Sequence, residues 1–284
     1  MPLKHEVLHR TVGPVRVSWT PRDTIIYALG VGAGQNDPTT DLEYTTGDTP
    51  FVLPVFAVTL LQFHGPQIDL GQIEPAARLH AEQALSVYSP LPPSGSIDVT
   101  RSVTGIYDKG SAAIVSIEST ATDPSTGAVL ATALSNSFIR GEGGFGGPKT
   151  PPAPPAVPDT QPDITLTATT RPEQALLYRL SGDYNSLHYS PAVAAQAGYS
   201  RPILHGLCTY GIAGRVLLQQ LCGGEPRRFH GIFGRFTKAV LPGEALTVQV
   251  WRSRTNRAAF RVLDQSGAVV IDRGRFDFDE RVPS

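Results

Sequence analysis

Apolar and polar positions change their period several times along the chain, and each change marks an element. Leu207, Tyr210, Gly211, Gly214, Leu217, Leu218 and Leu221 fall on one face at helical spacing, which predicts one long helix from near Leu204 to Leu221. Gly206, Gly211 and Gly214 keep part of that face thin, so a backbone or a ligand can approach it closely. Short strand-like runs follow at Phe229 to Phe236, Leu246 to Trp251, Ala259 to Leu263 and Val269 to Phe278, with turn residues between them. One apolar helix followed by antiparallel strands predicts a sheet wrapped around that helix. The first half repeats the sheet part, at Arg78 to Tyr88, Ile97 to Tyr107, Ala112 to Ala121 and Val129 to Ile139. Between the halves, the glycines of 141–147 run into a proline-rich stretch ending at Pro162. That composition reads as a linker with flexible and stiff parts. It divides the chain into 1–142, a linker at 143–162, and 163–284.

The bulk numbers narrow the function. With 284 residues, 40% hydrophobic and 17% charged, the chain can bury one large core or two ordinary ones. A net charge of -1 argues against a general role on nucleic acid or a membrane surface, since both need a basic excess. No apolar run reaches the roughly 18 residues of a membrane span. Met1 to Glu6 has no signal-peptide core, and Arg281-Val282-Pro283-Ser284 lacks a Ser-Lys-Leu type address, so the expected location is cytoplasmic. Cys208 and Cys222 would lie about 21 Å apart on one unbroken helix, too far for a disulfide.

Chemistry gathers in Gly182-Asp183-Tyr184-Asn185-Ser186-Leu187-His188 and in Arg201-Pro202-Ile203-Leu204-His205-Gly206. A carboxylate–imidazole pair can hold one water molecule and move its protons. A Gly N–H at a helix start can polarise a carbonyl, because the first helical N–H groups have no internal partner and lie at the positive end of the dipole. Together they point to proton transfer next to a thioester carbonyl. The bland alternative is an Asp that caps a turn beside an ordinary histidine, and the Asp–x4–His spacing alone does not exclude it. The first half has no counterpart of this pair. His205 reads as structural, and His64 and His230 as surface histidines. Two phosphate-loop look-alikes fail. Gly30-Val31-Gly32-Ala33-Gly34 has its third glycine too early, and 143–150 carries Pro148 where a phosphate loop needs Gly.

The run from Ala175-Leu176-Leu177-Tyr178-Arg179-Leu180 through Pro202-Ile203-Leu204-His205-Gly206-Leu207-Cys208-Thr209 resembles the signature of the enoyl-CoA hydratase 2 family, the MaoC-like, R-specific branch of hot-dog proteins. Matches at Tyr27 to Gly32, Asp41 to Thr45, Val52 to Phe56, Tyr107 to Gly110, Gly143 to Gly147 and Arg235 to Lys238 extend it over both halves. The resemblance implies an α+β double hot-dog, each half a curved antiparallel sheet around a central helix that is altered in the N-terminal half. It implies reversible syn hydration of a trans-2-enoyl-CoA to the (3R)-3-hydroxyacyl-CoA, without a metal or other cofactor, coenzyme A being part of the substrate. His188 would be the base, Asp183 the acid and Asn185 the residue that fixes the loop, while the Gly206 N–H would bind the thioester oxygen. His80, Ala81, Lys109, Tyr184, Ser186, Leu187 and Phe236 would contact the substrate. Ala81 stands where the family has Gly, and Ser186 where it has Pro. The N-terminal half would bind acyl and coenzyme A groups, with room for bulky acyl chains around Thr24 to Val58. The implied partner is an acyl-CoA or acyl-carrier-protein thioester, and a homodimer is expected. An acyl-CoA thioesterase and a non-catalytic thioester-binding subunit are the rivals.

Overall fold

The computed structural model describes residues 3–74, 77–152, 154–253 and 255–280, so the Arg281–Ser284 reading lies outside the described residues. The first half contributes strands β1 (Thr11–Trp19), β2 (Arg78–Val87), β3 (Gly95–Asp108), β4 (Ala112–Thr122) and β5 (Val129–Arg140). The second contributes β6 (Ile164–Thr169), β7 (Phe229–Phe236), β8 (Ala245–Arg252), β9 (Arg257–Leu263) and β10 (Val269–Phe278). They form one sheet in the order β1-β3-β4-β5-β2-β7-β10-β9-β8-β6. Read outward from its centre, the second half repeats the strand order of the first.

The halves join where β2 pairs antiparallel with β7, from Glu82 opposite Arg235 to Ser86 opposite Gly231. An ion pair between Arg235 and Glu82, 2.5 Å long, closes one end of that seam. Both outermost strands escape the sequence pattern. In β1, Gly13-Pro14 breaks the register between Val12 and Val15, as proline does at a sheet edge. In β6 the alternating Ile-Thr-Leu-Thr-Ala-Thr is a fair strand signal, masked by the prolines before it.

The central helix, Gly206–Cys222, lies where the periodicity placed it and stops at Gly223, whose φ of 62° suits glycine. Its thin face serves packing. A Cβ on Gly211 would meet Val31 Cγ1 at 2.6 Å and Tyr27 Oη at 2.7 Å, and one on Gly214 would meet Val55 Cγ2 at 2.5 Å. The helix is thus notched to receive side chains of the other half. There the helical layer is broken, as expected. Its pieces are Pro21–Gly30, Leu42–Thr45, Phe56–Thr59 and a π-helical turn at Leu60–His64.

Duplication is visible in one repeat. Pro21, Tyr27 and Leu29 recur at the same spacing as Pro172, Tyr178 and Leu180, on matching helices, and the two tyrosine rings meet at 6.2 Å. One large apolar core spans both halves. A smaller one lies at the far end of the first half, around Val103, Val115 and Ile139. Among its described residues the segment between the halves has no regular structure, but it is pinned down. Trp251 Nε1 donates to Thr160 O at 2.9 Å, Arg273 bonds Pro154 O, and the N–H groups of Gly144 and Gly146 donate to Asp108. Both cysteines are buried and free.

Candidate active site

The short helix Gln174–Tyr178 runs through a turn at Arg179–Ser181 into Gly182, whose φ of 115° strains any other residue. A Cβ there would also meet His64 Nε2 at 2.8 Å. His64 is exposed, as read from sequence, and lies within 3.3 Å of the Ser181 carbonyl, so the first half props the loop. Beyond Gly182 the chain folds on its own polar groups. The Asn185 N–H donates to Asp183 Oδ1 at 3.3 Å, and the Leu187 N–H to Asn185 Oδ1 at 3.1 Å. Asn185 thereby caps the turn Ser186–His188, which swings the imidazole inward until it is 9% exposed.

Hydrogen bonds set the state of both imidazoles. His188 Nδ1 lies 3.0 Å from the Ile203 carbonyl, and a carbonyl only accepts, so Nδ1 carries the proton and Nε2 keeps a free lone pair. By the same logic His205 Nε2 donates to the Asp183 carbonyl at 3.2 Å. The His205 ring lies against that of His188, centroids 3.7 Å apart, which fixes the imidazole from behind. Asp183, His188 and His205 each offer an atom within 4.8 Å of the others. His205 is therefore structural, as read from sequence, and what it holds is the His188 ring and the Asp183 backbone.

Burial sorts the protons. It raises the Asp183 carboxyl above the ordinary value, an effect the His188 ring partly offsets. It lowers the His188 imidazole, partly offset by Asp183. Burial thus favours the neutral form of each group, the carboxylic acid and the imidazole. His205 is pushed down to about 2 by burial and by the nearby His188, so it stays neutral.

Asp183 and His188 open onto a cavity of about 990 Å³ that runs into the first half. Gly206 sits in its wall as the first residue of the central helix, where its N–H has no helical acceptor. Asn185, Leu187, His80, Ala81 and Phe236 also border it, and His80 meets the Phe236 ring at 5.0 Å. Three of the expected contacts lie elsewhere. Lys109 is exposed on the turn between β3 and β4. Tyr184 points outward, 59% exposed, with the Arg179 guanidinium 5.1 Å above its ring. Ser186, half-buried at the start of the turn that Asn185 caps, does not line the cavity. The space also lies beside Gln62 to Ile73, not around Thr24 to Val58, because Tyr27, Val31 and Val55 fill the helix notches instead. Arg78 and Arg101 on the cavity wall went unread. The signal for Arg101 was a charge at an inward position between Val99 and Val103.

Known proteins are similar to this chain over both halves. Residues 17–141 match the MFE-2 hydratase 2 N-terminal domain, and residues 150–272 match the MaoC like domain. The 3-hydroxyacyl-thioester dehydratase Y of Mycobacterium tuberculosis is 44% identical over 93% of this chain and 94% of its own length. The peroxisomal enoyl-CoA hydratase 2 of Arabidopsis thaliana is 38% identical over 83% of this chain and 82% of its own. The crystal structure of a MaoC-like dehydratase from Phytophthora capsici superposes with a TM-score of 0.88 at 32% identity, covering 98% of both chains. No helix among the described residues is long and apolar enough to cross a membrane. With both halves matched and the site assembled between them, the chain belongs to the enoyl-CoA hydratase 2 family of MaoC-like dehydratases, with the double hot-dog fold.

Proposed function

We propose that this protein catalyses the reversible hydration of a trans-2-enoyl-CoA to the (3R)-3-hydroxyacyl-CoA, as a hydro-lyase of fatty-acid metabolism. The observation that carries the mechanism is the bond from His188 Nδ1 to Ile203, which leaves Nε2 free near the half-buried Asp183 carboxyl. The thioester oxygen accepts from the Gly206 N–H, so electron density can flow from the double bond toward the carbonyl as water adds. His188 Nε2 takes a proton from the water while its oxygen bonds to C3. The Asp183 carboxyl gives its proton to C2. The imidazolium then returns a proton to Asp183, within one loop, and the site is reset.

Asp183 and His188 approach the substrate from the same loop, so water and proton add to the same face. His205 and Asn185 hold the pair, and His80, Ala81, Leu187 and Phe236 shape the substrate path. Proton transfer by these side chains needs no metal or other cofactor, and coenzyme A enters as part of the substrate. All of these residues come from one chain, whose first half receives the acyl group.

The test is to follow crotonyl-CoA and a longer trans-2-enoyl-CoA by loss of enoyl-thioester absorbance, with a thiol reagent in parallel and chiral analysis of the product. Absorbance loss without free thiol, giving the (3R) alcohol, is expected. Release of free thiol would replace hydration with thioester hydrolysis. Binding without turnover would leave only a thioester-binding role.

A further inference from the structure

The inward face of the first half's sheet is interrupted by a polar band. Along β3 the buried side chains run Ile97, Val99, Arg101, Val103, so a guanidinium sits where alternation calls for an aliphatic residue. Its neighbours continue the break. Arg101 is opposite Ser119 on β4, and Gln83 on β2 is opposite Ser135 on β5, all of them buried. Apolar clusters lie on either side. A band of this kind has no value to a core, because each polar group buried there costs free energy unless it is satisfied.

Satisfaction is incomplete, and the charge in the band is all positive. Arg101 is only 4% exposed. Its Nη1 donates to the Pro66 carbonyl at 3.2 Å, and its buried Nε has no protein partner. Arg78, at the start of β2, donates through Nε to Ser137 Oγ at 3.2 Å. Neither guanidinium has a carboxylate within ion-pair distance among the described residues. Asp69 borders the same cavity but is held by Lys4 Nζ at 2.5 Å. Burial and the neighbouring Arg78 both disfavour the charged form of Arg101. His80 Nε2 and Gln83 Oε1 are also buried without a partner. Arg101, buried and uncompensated, and Arg78, at the exposed start of β2, thus both line a cavity that continues to Asp183 and His188.

We propose that this arm of the cavity receives an anionic group on the substrate's acyl chain, a carboxylate at the end remote from the thioester, held by Arg78 and Arg101. A hydrocarbon tail would leave the buried Arg101 guanidinium without a counter-charge, whereas a carboxylate accepts from the planar fork of an arginine, and Arg78 at the exposed edge adds a second donor. Arg101 lies deep between strands and helical pieces, a place suited to a chain terminus. The chemical class is therefore an enoyl thioester with a distal acid. This inference rests on the hydratase reading, and the same two side chains could in principle meet a phosphate of coenzyme A, so the experiment separates the three.

Trans-2-enoyl-CoA substrates of matched length, ending in methyl or in carboxylate, are compared by kcat/KM in the wild type, Arg101→Gln and Arg78→Gln, with crotonyl-CoA as the short reference. At the length that reaches the arginines, the wild type should favour the carboxylate by roughly 10- to 100-fold, the worth of charged hydrogen bonds made in a buried site. Arg101→Gln should collapse that ratio toward one through loss on the carboxylate substrate, and its thermal unfolding should no longer respond to an added free dicarboxylate. Absence of a carboxylate preference at every length, with crotonyl-CoA turned over normally, overturns the inference and leaves the hydratase reading intact. An equal rise in KM for every substrate, crotonyl-CoA included, places the arginines on a coenzyme A phosphate and also overturns it. Lack of turnover on every enoyl-CoA would remove the hydratase reading itself.

Discussion

The two halves have the same strand order and the same opening helix but differ in the loop that follows it. In the first half Tyr27 leads into Gly30-Val31-Gly32-Ala33, and Val31 is buried against Gly211 of the central helix. In the second, Tyr178 leads into Gly182-Asp183, and the loop stays open to a cavity. The helical layers differ in the opposite sense. The second half keeps an unbroken helix, whose first residue, Gly206, lines the same cavity as Asp183 and His188. The first half breaks it, and the cavity extends past the last piece, along Gln62 to Ile73. One half keeps the helix and holds the chemistry; the other gives it up and makes room. On the proposed function, the two halves divide catalysis from binding while keeping the same strand order.

The largest effects should come from removing the chemistry of the second half. Asp183→Asn and His188→Gln should each lower kcat by about 10²–10⁴-fold, the range of a positioned acid or base, with thermal stability little changed. Steady-state kinetics beside thermal unfolding reads this. Equal losses of activity and folding would mean that the loop is structural.

Packing between the halves comes next. Gly211→Ala should destabilise by about 1–3 kcal/mol through overpacking against Val31 and Tyr27, although alanine is the better helix former. Gly206→Ala gives the contrast, since its Cβ would meet the Phe236 ring at an ordinary 3.4 Å. Stability should barely move there, while KM rises because the methyl enters the cavity. Denaturant unfolding of the two variants compares them directly.

A smaller effect concerns pH. His205 is held down to about 2, against an ordinary value near 6.5 in the unfolded chain. Between those values the unfolded state binds the extra proton, so stability is full above the unfolded value and falls on acidification below it. The loss is about 1.4 kcal/mol per pH unit for that one group. His188 acts in the same direction. Asp183 acts in the other, because its raised carboxyl keeps the proton in the folded state. His205→Asn should flatten the slope of stability against pH between about 6 and 5. An unchanged slope would place its proton balance elsewhere. The smallest effect is at the seam, where Glu82→Gln should cost no more than about 1 kcal/mol because the pair with Arg235 is partly open to solvent.

Much of this was legible in the residues. The central helix follows from its 3.6-residue spacing, and eight inner strands follow from apolar runs bounded by turns. Edge strands β1 and β6 were hidden, the first by its own proline and the second by the prolines before it. The acid, base and oxyanion donor were readable because they sit close in sequence. Arg78, Arg101 and the true position of the cavity were not, since they depend on which strand faces turn inward across long sequence separations. Lys109 and Tyr184 came from the family resemblance, and the fold leaves both on the surface.

The central claim is that one loop supplies both acid and base to one face of the double bond. The most direct test is hydration of crotonyl-CoA in D2O, with the configuration at C2 and C3 read by NMR after chiral derivatisation. The account predicts a single diastereomer, the C2 deuteron and the C3 hydroxyl on the same face with (3R) configuration. A product deuterated on the opposite face, or scrambled at C2, would contradict Asp183 and His188 as the paired acid and base.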